Sequence, residues 1–69
     1  MQIKLIYLGY FETEFKGKEY KVYNFLHPAS MTILSGTNLE LKKDLILDND
    51  YNCEIAYQRG KMKVIGILP

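Results

Sequence analysis

Gln2-Ile3-Lys4-Leu5-Ile6-Tyr7-Leu8-Gly9-Tyr10-Phe11-Glu12-Thr13-Glu14-Phe15 opens the chain after Met1, and its pattern decides the fold. Ile3, Leu5 and Tyr7 alternate with Lys4, Ile6 and Leu8, and a period of two is the signature of a strand rather than a helix. The segment 2–15 is long for one strand, and Gly9 sits in its middle. A glycine inside a strand marks a bulge or a sharp bend. A long first strand bent at that point serves two sheets and closes a small barrel.

The same period continues downstream. Lys16-Gly17-Lys18 reads as a turn, Glu19 to Leu26 as a second strand, and Pro28 ends it because it has no N–H for a ladder. Met31 to Ser35 reads as a third strand stopped by Gly36. Residues 37–50 stay open between a strand pair and a short helix beginning at Asn38, since Leu39, Leu41, Leu45 and Leu47 fit both. Asp48-Asn49-Asp50 is a turn, Asn52 to Gln58 a fourth strand, Arg59-Gly60-Lys61 a tight hairpin and Met62 to Leu68 a fifth strand. Val, Ile, Tyr and Thr are frequent and Ala is scarce, as strands prefer. The chain is therefore expected to be one all-β domain over residues 1–69, a small five-stranded OB-fold-like barrel, with an SH3-like barrel as the alternative.

At 69 residues only a marginal core is available. Cys53 is the single cysteine, which excludes an internal disulfide, and one Cys with one His does not make a structural zinc site. Self-association is the remaining source of stability, so a homodimer is expected. The lone Cys and the lack of an export signal point to a cytoplasmic setting. The apolar run 3–8 is far shorter than the about 20 residues that span a bilayer, so no membrane association is expected.

Little points to catalysis, a cofactor or a small-molecule substrate. His27 has no partner recognisable in the sequence, and an acid–base residue needs one. Cys53 reads as a small buried hydrophobe. No nucleotide-binding, hydrolase or metalloprotease motif is present. Asp48-Asn49-Asp50 resembles the start of a calcium loop but lacks its Gly and terminal Glu.

Charge and aromatic rings carry the functional expectation. Residues 16–21 read Lys-Gly-Lys-Glu-Tyr-Lys and residues 59–63 read Arg-Gly-Lys-Met-Lys, which together hold six of nine basic residues and one of eight acids. Clustered cations bind phosphate by releasing its counterions; they also keep small β proteins soluble. On the second strand, Lys21, Tyr23 and Phe25 share one face, and Tyr20, Val22 and Asn24 the other. Val22 has the more core-like character, so Tyr23 and Phe25 are expected to point outward, where rings stack on bases without regard to sequence. Tyr7, Tyr10 and Phe11 are expected mostly in the core, with a bend at Gly9 able to turn one of them outward; Tyr57 is also expected mostly in the core, and Tyr51 fits either place. The expected ligand is single-stranded nucleic acid, held by Lys16, Lys18, Tyr20, Lys21, Tyr23, Phe25, Arg59, Lys61 and Lys63. The alternative is a protein-interaction module of the same shape.

Lys16-Gly17-Lys18-Glu19-Tyr20, followed by an alternating strand, resembles the DNA-binding wing of the filamentous-phage gene V type single-stranded-DNA-binding proteins. Leu45 to Pro69 is similar to the last hairpin and ending of that family, with Tyr51, Gly60, Met62-Lys63-Val64-Ile65 and Leu68-Pro69 in order. The resemblance implies an OB-fold dimer that coats single-stranded DNA without base-specific contacts. It assigns Lys18 and Tyr20 to the wing. The chain departs from the family in its shorter length and in its compact connection at 26–31.

Overall fold

The computed structural model describes residues 1–69. Its five strands are β1 (Gln2–Phe15), β2 (Lys18–His27), β3 (Thr32–Thr37), β4 (Asp50–Gln58) and β5 (Lys61–Ile67). They form one antiparallel sheet in the order β3-β2-β1-β4-β5, with no helix. β1 pairs with β4 through Gln2–Ile6 and with β2 through Ile6–Phe15. The changeover falls at the expected bend, where the register shifts between Tyr7 and Gly9 and Gly9 adopts φ +107°.

Both hairpins turn in two residues. Phe15 pairs with Lys18 across Lys16-Gly17, and Gln58 pairs with Lys61 across Arg59-Gly60. All four turn residues have positive φ, 52° and 78° in the first turn and 50° and 81° in the second. Two successive positive φ values give the hairpin a twist that matches the flanking strands.

The core is small and lies on one side of the sheet. Leu5, Tyr7, Tyr23, Phe25, Cys53, Ile55 and Val64 are buried, with Leu34, Leu39, Leu41, Leu45, Tyr51, Met62 and Ile67 packed around them. Burial lifts the Cys53 thiol to about 11, and it raises Tyr7, reinforced by the phenols of Tyr23, Tyr10 and Tyr51.

Gly36 lies inside β3 rather than ending it. Its role is close approach: a Cβ there would stand 2.5 Å from the Val64 carbonyl oxygen and 2.9 Å from Leu39. The backbones of β3 and β5, the two outer strands of the sheet, therefore come together at this point.

Residues 38–49 form neither the helix nor the strand pair left open by their pattern. Individual hydrogen bonds at its two ends tie this segment down. Asn38 bonds the backbone of Lys21, the Ile46 N–H donates to the Tyr51 hydroxyl at 2.7 Å, and Asp48 and Asn49 bond the backbone of Tyr7. Leu39, Leu41 and Leu45 turn inward from this irregular backbone. β4 accordingly starts at Asp50, two residues before the position expected from the turn signal.

Candidate nucleic-acid interface

The strand phase is the opposite of the one expected for β2. Tyr23 and Phe25 are 8% and 0% exposed and lie in the core, so they do not form an outward stacking surface. The reason is collective. Turning the other phase inward would put Val22 and the Asn24 amide in place of the Tyr23 and Phe25 rings, with Tyr20 out on the ribbon beyond the core, and an unpaired buried amide is costly. In the observed phase Asn24 accepts a hydrogen bond from the Ser35 hydroxyl at 2.9 Å on the outer side. The rings of Tyr7 and Phe25 meet at 5.5 Å inside.

The bulge reverses the phase along β1. Before it, Leu5 and Tyr7 face inward; after it, Tyr10, Glu12 and Glu14 carry the inner phase and Phe11, Thr13 and Phe15 the outer one. Beyond Gly9 the β1–β2 pair outruns the core and becomes a ribbon. Tyr10 and Phe11, expected in the core, are each 52% exposed there, and Phe15 is 63% exposed. Tyr57 fails for the same reason. It shares the inward phase of Cys53 and Ile55 but lies near the end of its hairpin and is 70% exposed. Tyr7 and Cys53 are buried as expected.

Cross-strand register sorts the ribbon into two unlike faces. On the outer face Phe11 stands opposite Val22, Thr13 opposite Tyr20, and Phe15 opposite Lys18. On the inner face Tyr10 stands opposite Tyr23, Glu12 opposite Lys21, and Glu14 opposite Glu19. Every acid of the ribbon is therefore on one side. The Lys16 ammonium sits 5.4 Å from the Phe15 ring centre, and that of Lys21 sits 4.7 Å from the Tyr10 ring. Each is within the reach of a cation–π contact.

The nine residues expected to form one track are divided. Lys18 and Tyr20 share the outer ribbon face, and Lys16 tops the same hairpin. Lys21 points to the inner face, and Tyr23 and Phe25 are core. Gln2 pairs with Glu54 and Phe15 with Lys18, so the Arg59-Gly60 tip lies off one end of β1 and the Lys16-Gly17 tip off the other. Thr37, the last residue of β3, and Asn38 line a cleft of about 590 Å³ with Gln58, which flanks the second turn, and Lys63. Asn38 donates to the Lys21 carbonyl at 2.7 Å and accepts from the Lys21 N–H at 2.9 Å, which ties that cleft to the ribbon.

Phe11, Phe15 and Asn38 were absent from the expected site. The signal for the two Phe residues was the bend at Gly9, because one extra residue in a strand exchanges its faces. Asn38 had no local signal, since its partner is distant in sequence. His27 also differs from expectation. Its Nδ1 lies 2.7 Å from the Ser30 hydroxyl, which in turn donates to Thr32 at 2.9 Å. This exposed chain ends without an orienting carboxylate.

No group of three or more His, Cys, Asp or Glu side chains is arranged to hold a metal, and no helix is long and apolar enough to cross a membrane. No family model, curated protein or solved structure matches the chain.

Proposed function

We propose that the chain binds single-stranded nucleic acid, with DNA favoured, on the outer surface of an OB-fold-like barrel and without catalysis. The observation that carries the proposal is the outer ribbon face, where Phe11, Phe15, Tyr20 and Lys18 gather and no acid intrudes. Exposed rings beside a cation suit stacking on bases next to a phosphate. The three glutamates on the opposite face repel a polyanion, so they direct it to the aromatic side.

Barrel closure is supported by the strand order and by the approach of β3 to β5 at Gly36. In a barrel of this type the face of strands two and three and the two hairpin loops bind oligonucleotides. A strand of nucleic acid then runs across β2 from Lys18 and Tyr20, over Thr37, to Lys63 and Lys61. The turn residues support the same reading. Lys16 and Arg59 occupy positive-φ positions where Asn or Gly is easier, and backbone strain gathers at functional sites. The small core also favours a chain that self-associates, which sedimentation equilibrium reads directly.

The test is oligo-dT binding as a function of salt. Five phosphate contacts, from Lys16, Lys18, Arg59, Lys61 and Lys63, predict about a hundred-fold loss of affinity between about 50 and 200 mM salt. Quenching of tyrosine fluorescence should accompany binding, because Tyr20 lies on the proposed track. Affinity that does not change with salt would rule the proposal out.

A further inference from the structure

The ribbon has a second surface that nucleic acid does not explain. In an antiparallel pair, residues alternately point their N–H and C=O toward the neighbouring strand and away from it. The Lys21 backbone is turned away from β1, since it bonds Asn38 in both directions. Glu12, directly opposite Lys21, is therefore turned away from β2, and so are Tyr10 and Glu14, two residues to either side. Nothing in the chain bonds the main-chain groups of these three residues; the pairing of β1 on that side ends at Tyr7 with Asp48 and Asn49. One edge of the ribbon is thus capped by Asn38 and the other is open.

The side chains on these open positions are chemically selective. Glu14 stands opposite Glu19, a like-charge pair that costs stability in a sheet. Glu12 stands opposite Lys21, but that ammonium lies over the Tyr10 ring, and the only ion pair in the chain joins the Met1 amino group to Glu54. Glu12 and Glu14 on the open edge, and Glu19 on the same face of β2, are thus left without a cation. A second copy pairing about Glu12 would set Glu12 against Glu12, so the edge discourages its own kind, as charged edges do.

We infer that the open edge of β1 at Tyr10, Glu12 and Glu14 takes an extended basic peptide, which adds as a strand with Lys or Arg at alternate positions facing the glutamates. Main-chain bonds supply affinity and the alternating cations supply selectivity, as in other strand-addition complexes. The site is separate from the outer aromatic face, so it stands independently of the nucleic-acid proposal.

The experiment uses the full chain and a fluorophore-labelled Thr-Lys-Thr-Lys-Thr-Lys-Thr peptide, read by anisotropy and by amide chemical shifts. Binding is expected to move the amides of Tyr10, Glu12 and Glu14. It should weaken about five-fold for the double variant Glu12→Gln/Glu14→Gln, and equally when Gln replaces Lys in the peptide. N-methylation of alternate peptide residues removes the ladder donors, leaves the protein untouched and should abolish binding. Oligo-dT affinity of the double variant should not fall. Three results would overturn the inference: no binding, equal binding of the N-methylated peptide, or amide shifts centred elsewhere. Self-association of the free chain that protects the same three amides would overturn it as well, by giving the edge to a second copy.

Discussion

Gly36 faces Val64 so closely that a single added methyl carbon would stand 2.5 Å from the Val64 carbonyl oxygen. This contact joins strands at opposite ends of the sheet order, so the closeness of β3 and β5 depends on a missing side chain. Gly36→Ala should cost about 2 kcal/mol or more, because the obstacle is backbone and cannot rotate away. Gly66→Ala is the control. Nothing lies within 4 Å of its added carbon, so stability should hold or rise slightly. Urea unfolding of the two variants decides the point, and equal midpoints would contradict it.

The outer and inner aromatics should separate stability from binding. Phe25→Ala removes a fully buried ring and should cost about 3–5 kcal/mol, most of the stability of so small a domain. Phe11→Ala, Phe15→Ala and Tyr20→Ala remove half-buried or exposed rings of the outer face. They should leave the fold intact and weaken oligo-dT binding about ten-fold each. Thermal melts and binding isotherms on the same samples check both halves.

The two basic turns should show a trade between stability and binding. Lys16→Asn and Arg59→Asn place a residue that tolerates positive φ where Lys and Arg are strained. Each should raise stability by about 0.5 kcal/mol, and the pair should raise Tm by about 5 °C. Oligo-dT affinity should fall in both, with a shallower salt dependence. A pair that melts lower than the parent would show that the turns hold no strain.

Alkaline pH should destabilise the fold through Cys53. Its thiol is raised by burial from 9.0 to about 11, so above about pH 9 the unfolded chain loses a proton that the folded chain keeps. Stability is therefore complete below pH 9 and declines as pH rises toward 11. The raised phenol of Tyr7 acts in the same direction at higher pH. Cys53→Ala should lower stability at neutral pH but flatten this decline. In the native protein the thiol should resist thiol reagents at pH 8 and react only on unfolding.

The amino-acid sequence by itself determined the features that are local. A period of two made strands, Gly9 marked the bulge, and Lys16-Gly17 and Arg59-Gly60 set two-residue turns, because each depends on neighbours along the chain. Tertiary structure alone decided which phase of each strand faces inward and where the core ends. A period-two pattern has two equivalent phases, and the choice between them was made by partners far away: Ser35 for Asn24, Tyr7 for Phe25, Asn38 for Lys21. Those long-range partners put Tyr23 and Phe25 inside and left Phe11, Phe15 and Tyr57 to the surface. Glu12 and Glu14 joined the first hairpin by local register alone, through the two-residue turn that sets them opposite Lys21 and Glu19.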